Sequence, residues 1–388
     1  MRIDTRLVRG GLRRSANCET SEPIYLTSGY VFPDSETAET AFAGPEVGWL
    51  YTRFGNPTTA ILEDRLRLLE EAPAARTMAT GMAAIFAALM AIVKAGDRVV
   101  ASRAMFNSCL YVVTKILPRF GVQPLLVDGG DLDQWRDALR DGAAAVIFET
   151  PSNPMLDLVD IRAVAALAHE AGARVIVDNV FATPIEQRPL TLGADIVVYS
   201  TTKHIDGQGR CLGGAVLGDE RFVVDQLQPF IRHTGPTLSP FNAWVLLKGI
   251  ETLGLRMERH ARSAGRLADF LADHPKIARV RYPGRADHPQ HALARRQMRR
   301  GGSMLAVDVA GGKAAAYRFA NALRLADISA NLGDAKTLIA HPATTTHVNV
   351  EAAERAHLGI GPGTLRISVG LEDTDDLLAD MEQALARV

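Results

Sequence analysis

Between Arg76 and Gly218 the chain repeats a pattern that few folds accommodate: short β-branched and aliphatic runs separated by Ala-rich segments of helical spacing. RVVA (98–101), PLLVD (124–128), AAVIFE (144–149), RVIVDN (174–179), DIVVYS (195–200) and GGAVLG (213–218) read as strands. Their hydrophobicity is nearly unbroken, as suits strands covered on both faces. Between them, Ile161 to Ala171 is spaced as a helix and is followed by Gly172, a suitable C-terminal stop. The alternation specifies an α/β domain, a mostly parallel open sheet with helices on both faces.

Ser239-Pro240 reads as a helix start, a capping hydroxyl followed by proline at the first helical position. The helical pattern then runs to about His274, with Gly249 and Gly254 as kinks, long enough to bridge two domains. Beyond it ARVRYP (278–283), SMLAVDV (303–309) and TLRISV (364–369) read as strands, with helices near 314–324 and 374–386: a smaller α+β domain. The first 55 residues contain Pro23, Pro33 and Pro45 and little periodicity, and read as an extended arm. The expected division is therefore an arm over 1–55, an α/β domain over 56–248 and a C-terminal domain over 249–388.

Composition narrows the function classes. With 43 Lys and Arg against 44 Asp and Glu, the chain has no global attraction for nucleic acid or anionic membranes. The longest apolar run, Ala83 to Val93, is too short to span a bilayer. Cys18, Cys109 and Cys211 are scattered, which argues against a disulfide framework or a structural metal site and fits a reducing compartment. The N-terminus is basic but lacks the apolar core of a secretory signal, so a cytoplasmic location is expected.

Ligands of open parallel sheets bind beyond the carboxyl ends of the strands, and five motifs fall there or at helix starts. In STTKH (200–204), Ser200 and Thr202 offer hydroxyls for a phosphate, and a partly desolvated Lys203 is an amine able to form a Schiff base. Asp178 ends a buried strand and needs a partner; a protonated pyridine nitrogen is one. Gly81 and Met82 open an Ala-rich helix whose first N–H groups suit a phosphate, in a motif that is neither GxGxxG nor a P-loop. Asn153 in ETPSNP (149–154) can bond a cofactor hydroxyl, and Arg366, on an apolar strand, presents a fork for a carboxylate. His341 and His347, six apart, lack metal-ligand spacing and read as structural.

Each motif alone has a blander explanation: a solvated lysine, a capping aspartate, a turn-forming asparagine or an internal salt bridge. Together they provide a phosphate cradle, an amine, an acid for a ring nitrogen and a carboxylate clamp. That combination suits an amino acid held as an imine of pyridoxal 5′-phosphate (PLP).

The stretches YTRFGNPT (51–58), ATGMAAI (79–85), ETPSNP, RVIVDN, STTKH, ANLGDAKTL (330–338), HPATTTH (341–347) and LRISVGLED (365–373) together resemble the Cys/Met-metabolism family of PLP enzymes, over essentially the full length. The resemblance implies a fold type I transferase in which Lys203 bonds the cofactor, Asp178 meets its ring nitrogen, and Gly81, Met82, Ser200 and Thr202 hold its phosphate. It implies that Tyr51 and Arg53 reach into a neighbouring subunit's site, so that the arm serves a homo-oligomer, a tetramer built from dimers with shared active sites. Asn153 and Arg366 match the clamp on the substrate carboxylate.

Two departures narrow the choice. Phe106 stands where most members place a tyrosine stacked on the cofactor; it can stack but has no hydroxyl to move a proton. Ala330-Asn331 stands where cystathionine-forming members carry Glu-Ser, so a cysteine amino group loses its carboxylate partner. Asn331 remains able to orient the substrate carboxylate. The phenylalanine, with IYLTSGYVF (24–32) and IRHTGPTLSPFNAWVLLKG (231–249), resembles the branch that uses O-succinylhomoserine, and the alanine favours sulfide as the nucleophile. Tyr51 is then the expected helper of Lys203 in proton transfer. O-acetylhomoserine sulfhydrylase, cystathionine γ-synthase and methionine γ-lyase activities are the alternatives within the family, and a catalytically silent binding protein is the alternative outside it.

Overall fold

A computed structural model describes residues 1–44 and 48–388. Pro45, one of the three prolines of the arm, lies outside the described residues. All six expected strands of the first sheet form: β2 (Arg98–Ser102), β3 (Gln123–Val127), β4 (Ala145–Glu149), β5 (Arg174–Asp178), β6 (Ile196–Tyr199) and β7 (Gly214–Gly218). A seventh, β1 (Ala74–Met78), was not legible because Arg76 and Thr77 interrupt its apolar pattern. The order is β1-β7-β6-β5-β4-β2-β3, parallel except that β7 runs against both neighbours.

The two-residue period of a strand explains the burial on both faces. Ala145, Ile147, Ile176, Ile196 and Val198 pack with the helix Gly81–Met90 on one face. On the opposite face, Val146, Phe148, Val175 and Val177 pack with the helices Leu132–Leu139 and Ile161–Glu170. Val197 and Tyr199 meet the helices Pro57–Glu70 and Pro240–Ile250 on that same side of the sheet. Continuing the period past the apolar runs sends Glu149, Asp178 and Ser200 to the first face, and Asn179 to the second.

The second sheet has the order β10-β11-β12-β9-β8, built from β8 (Ile277–Arg281), β9 (Met304–Val309), β10 (Asp327–Ile328), β11 (Leu338–Ala340) and β12 (Thr364–Ser368). The helices Gly312–Ala322 and Thr374–Leu385 cover it, as expected. The long bridging helix is two helices, Pro240–Ile250 and Leu253–Asp273, broken at Glu251–Thr252 rather than bent at either glycine. Ser239 does precede the first of them, but its hydroxyl makes no capping bond. Leu253 and Met257 of the second helix join the core of the large sheet, whereas Leu267 and Leu271 join that of the small one.

The arm is not extended throughout. Ile3–Arg9 is helical and buries Leu7 against Ile61 and Leu253, and Asp34 caps a helix over Ser35–Ala43 by accepting from the Thr37 N–H at 2.7 Å. Among the described residues, no helix is long and apolar enough to cross a membrane.

Candidate active site

A cavity of about 620 Å³ opens at the carboxyl ends of β4, β5 and β6, where the second sheet leans over the first. Gly81, Met82, Phe106, Asn153, Asp178, Ser200, Thr202, Lys203, Ala330 and Arg366 all line it. Ten residues separated by up to 285 positions thus meet around one space.

Its phosphate end is a crevice between a helix start and a strand end. Thr80 caps the helix Gly81–Met90 by accepting from the Ala83 N–H at 3.0 Å, leaving the earlier N–H groups of the turn free for a ligand. Ser200 comes so close that a Cβ on Gly81 would lie 2.5 Å from the Ser200 Cβ. Gly214 on β7 is equally constrained: its Cβ would lie 2.1 Å from the Thr80 carbonyl oxygen. The Thr202 hydroxyl is braced by the Gly213 backbone, donating to its carbonyl (3.2 Å) and accepting from its N–H (3.0 Å). Free helix-start N–H groups beside the Ser200 hydroxyl form a donor set that fits a phosphate dianion, and the Thr202 hydroxyl joins it by turning from the Gly213 carbonyl.

Lys203 sits in the turn after β6, its N–H on the Ser200 carbonyl and its own carbonyl accepting from Gly207. Burial, with the nearby Arg366 charge, brings its amine down to about 8. That places a neutral, nucleophilic amine within reach of ordinary pH. Its Nζ donates to Asn331 Oδ1 at 2.5 Å. The side chain expected to orient a substrate carboxylate is therefore turned to the lysine, and Asn331 serves Arg366 through its carbonyl oxygen (3.2 Å) instead.

Asp178 is buried, accepts from the Val180 N–H at 3.1 Å, and is pushed upward by desolvation. A carboxylate so placed gains from a cationic ring nitrogen above it. Arg366 on β12 is 2% exposed; its Nη1 donates to Asn153 Oδ1 (3.1 Å) and its Nη2 to the Ala330 carbonyl (2.8 Å), while its Nε has no partner among the described residues. An orphaned guanidinium N–H at the edge of a cavity suits an incoming carboxylate. These features together fit PLP carrying an amino acid.

Tyr51 and Arg53 do not join this cavity within one chain. Tyr51 is 42% exposed, and Arg53 bonds the Arg232 carbonyl and lies over the Tyr51 and Phe54 rings. Together with Leu26 and Thr237 they line a separate surface hollow. His341 spends both ring nitrogens on Thr344 and Pro362, and buried His347 is brought down to about 4, chiefly by desolvation.

Sequence reasoning gave no role to Glu149 or Cys109, which line the same cavity. For Glu149 the signal was present, because it ends the run AAVIFE as Asp178 ends RVIVD. Its importance depends on strand order, since β4 and β5 pair Glu149 directly with Asp178.

Comparison with known proteins agrees with this geometry. The sequence model of the Cys/Met metabolism PLP-dependent enzymes matches residues 4–386. An O-succinylhomoserine sulfhydrylase of Mycobacterium tuberculosis is 55% identical over 385 residues, covering 98% of this chain and 94% of that protein. One from Pseudomonas aeruginosa is 47% identical over 384 residues, covering 99% and 95%. A Campylobacter jejuni structure, provisionally an O-acetylhomoserine (thiol)-lyase with an N′-pyridoxyl-lysine-5′-monophosphate, superposes with a TM-score of 0.96 at 31% identity over the whole of both chains.

Proposed function

The chain belongs to the Cys/Met metabolism family of PLP-dependent enzymes, and from that premise we propose that it converts O-succinyl-L-homoserine and sulfide to L-homocysteine and succinate. The observation that carries this choice within the family is the acid content of the cavity. Among the described residues its only carboxylates are Glu149 and Asp178, both at strand ends on the floor. Ala330, beside Arg366 and Lys203, offers no acid for the ammonium group of a cysteine nucleophile. Sulfide needs none.

Bound PLP supplies an electron sink for charge developing on the substrate carbons. The chain supplies position and protons. Arg366 and Asn153 would hold the substrate carboxylate, which would fix the direction of the α-C–H bond to be broken. Lys203 Nζ, once free, takes protons from the α- and β-carbons and returns them, helped by an amine value of about 8. The γ-carbon loses succinate as its C–O bond breaks, and a C–S bond to sulfide forms at the same carbon. Phe106 covers the ring without competing for protons, because it has no hydroxyl.

A second copy of the chain completes the site in this reading. Leu212 lines the cavity and is 57% exposed, and Phe241 near it is also exposed, its neighbour Asn242 donating to the Leu212 carbonyl at 3.1 Å. Leu26, Val31 and Phe42 leave further apolar surface uncovered on the arm. The arm of a partner, carrying Tyr51 and Arg53, would cover this rim, Arg53 adding a cation to the phosphate end and Tyr51 a hydroxyl to the proton transfers. If so, co-refolding inactive Lys203→Ala and Tyr51→Ala variants restores activity by uniting one intact site; no recovery in co-refolded mixtures places Tyr51 in its own chain's site or in none.

Purified enzyme offered O-succinylhomoserine with equal sulfide and cysteine tests the reaction. Homocysteine should exceed cystathionine by about tenfold or more, the ratio expected when one charge-assisted contact is missing. Predominant cystathionine, or release of 2-oxobutyrate from methionine as the main activity, overturns the assignment.

A further inference from the structure

Glu149 has no part in the reaction as written above, yet it is buried on the cavity floor. It is 2% exposed, and β4–β5 pairing sets it directly beside Asp178. Its Oε2 accepts the Phe106 N–H at 2.7 Å. The Asn153 N–H also faces its carboxylate, as does the Arg366 charge, while the buried Cys109 thiol lies close by.

The bond to Phe106 is unusual in its placement. Phe106 precedes the five-residue helix Asn107–Tyr111 and adopts a non-helical backbone with φ −51° and ψ 129°. No side chain of its own turn caps that helix. The direction in which the Phe106 ring leaves the backbone is thus set at a residue tethered to the end of β4, the strand paired with β2. A tyrosine at this position could add a hydroxyl contact to hold its ring; Phe106 has only packing and its backbone.

We propose that Glu149 is a positioning residue that fixes the Phe106 ring over the cofactor by holding the Phe106 backbone N–H. The inference rests on the reading of Phe106 as the ring that covers PLP. Losing the acceptor leaves a part-buried N–H without a partner and frees the ring, so the consequence appears as weaker cofactor binding and not only as lost turnover.

Cofactor dissociation constants of the apoprotein, followed through the visible absorption of the bound form, provide the test. Glu149→Gln keeps an oxygen for the N–H and should bind within about threefold of the parent, whereas Glu149→Met, similar in length without the acceptor, should weaken binding about tenfold. Phe106→Ala alone, which removes the ring itself, should weaken it at least as much, about tenfold. In Glu149→Met/Phe106→Ala the losses should not multiply, because both remove the same stacking contact. Multiplying losses, or equal weakening in the Gln and Met variants, overturns the positioning role. No change in Phe106→Ala overturns the stacking reading itself. If Glu149→Met does not fold, Glu149→Ser, too short to reach the N–H, takes its place in the same cycle.

Discussion

A pair of buried acids and a single buried acid lie on opposite faces of the same sheet. On the cavity face, Glu149 and Asp178 end β4 and β5 next to an open space of about 620 Å³. On the other face, Glu70 of the helix Pro57–Glu70 accepts from the Tyr199 hydroxyl. Asn179 donates to that hydroxyl oxygen at 2.6 Å and to the Gln187 carbonyl at 2.9 Å. Gln187 in turn bonds Asn179 Oδ1, the Thr150 carbonyl and Gln297. Desolvation pushes acids upward in both groups, Glu70 to about 8. The difference is in what meets them. The rear acid is hydrogen-bonded by neutral side chains of the chain itself, with Arg188 nearby; the front pair borders a ligand space, with Arg366 acting on Glu149. Consecutive residues, Asp178 and Asn179, are divided between the two groups by the strand period alone. Burial and shifted acidity therefore do not by themselves mark a catalytic group.

The largest contrast comes from removing the charge at Asp178. Asp178→Asn should lower turnover of the PLP-loaded enzyme about 10²-fold or more, as losing a preorganised electrostatic contact at the reacting centre does. The melting temperature of the apoprotein should stay level or rise, because an acid beside a second acid is relieved of repulsion. Unchanged turnover would place Asp178 with the structural acids and erase the distinction between the two faces.

How far these groups were legible in the sequence depends on the kind of contact involved. The apolar runs announced β2 to β7 because strands buried on both faces have no polar phase to hide. They also marked Asp178 and Ser200–Lys203 as strand-end residues. β1 was hidden by Arg76 and Thr77, which Glu63 receives across the helix–strand boundary. The two- and three-residue β10 and β11 are too short to show a period. Glu149 was passed over because its neighbour is set by sheet order. The Lys203–Asn331 contact could not be read from the sequence, because the two residues, 128 apart along the chain, come to 2.5 Å only on folding. The helix Ile3–Arg9 was missed since it offers a single buried residue, Leu7, to a core made elsewhere.

The rear group gives the smaller and more selective test, in stability and not in turnover. Glu70 holds its proton up to about 8 in the folded chain, against 4.5 for the ordinary group. Between those values the native state binds one more proton than the unfolded chain. Its stabilising effect is thus complete below about 4.5 and is lost as pH rises through about 8, at about 1.4 kcal/mol per pH unit for a single group. Glu70→Gln resembles the protonated acid in shape and keeps an oxygen for Tyr199. The variant should match the parent near pH 5 and exceed it in stability near pH 9, with equal turnover at both. Denaturant unfolding of the two proteins across that range measures the difference in slope. Parallel curves would mean that Glu70 is ionised in the fold, its charge offset by Arg188 nearby, which pairs with Glu71 at 2.8 Å. The rear face would then be a charge-compensated site like the front, and the two would differ only in access to the cavity.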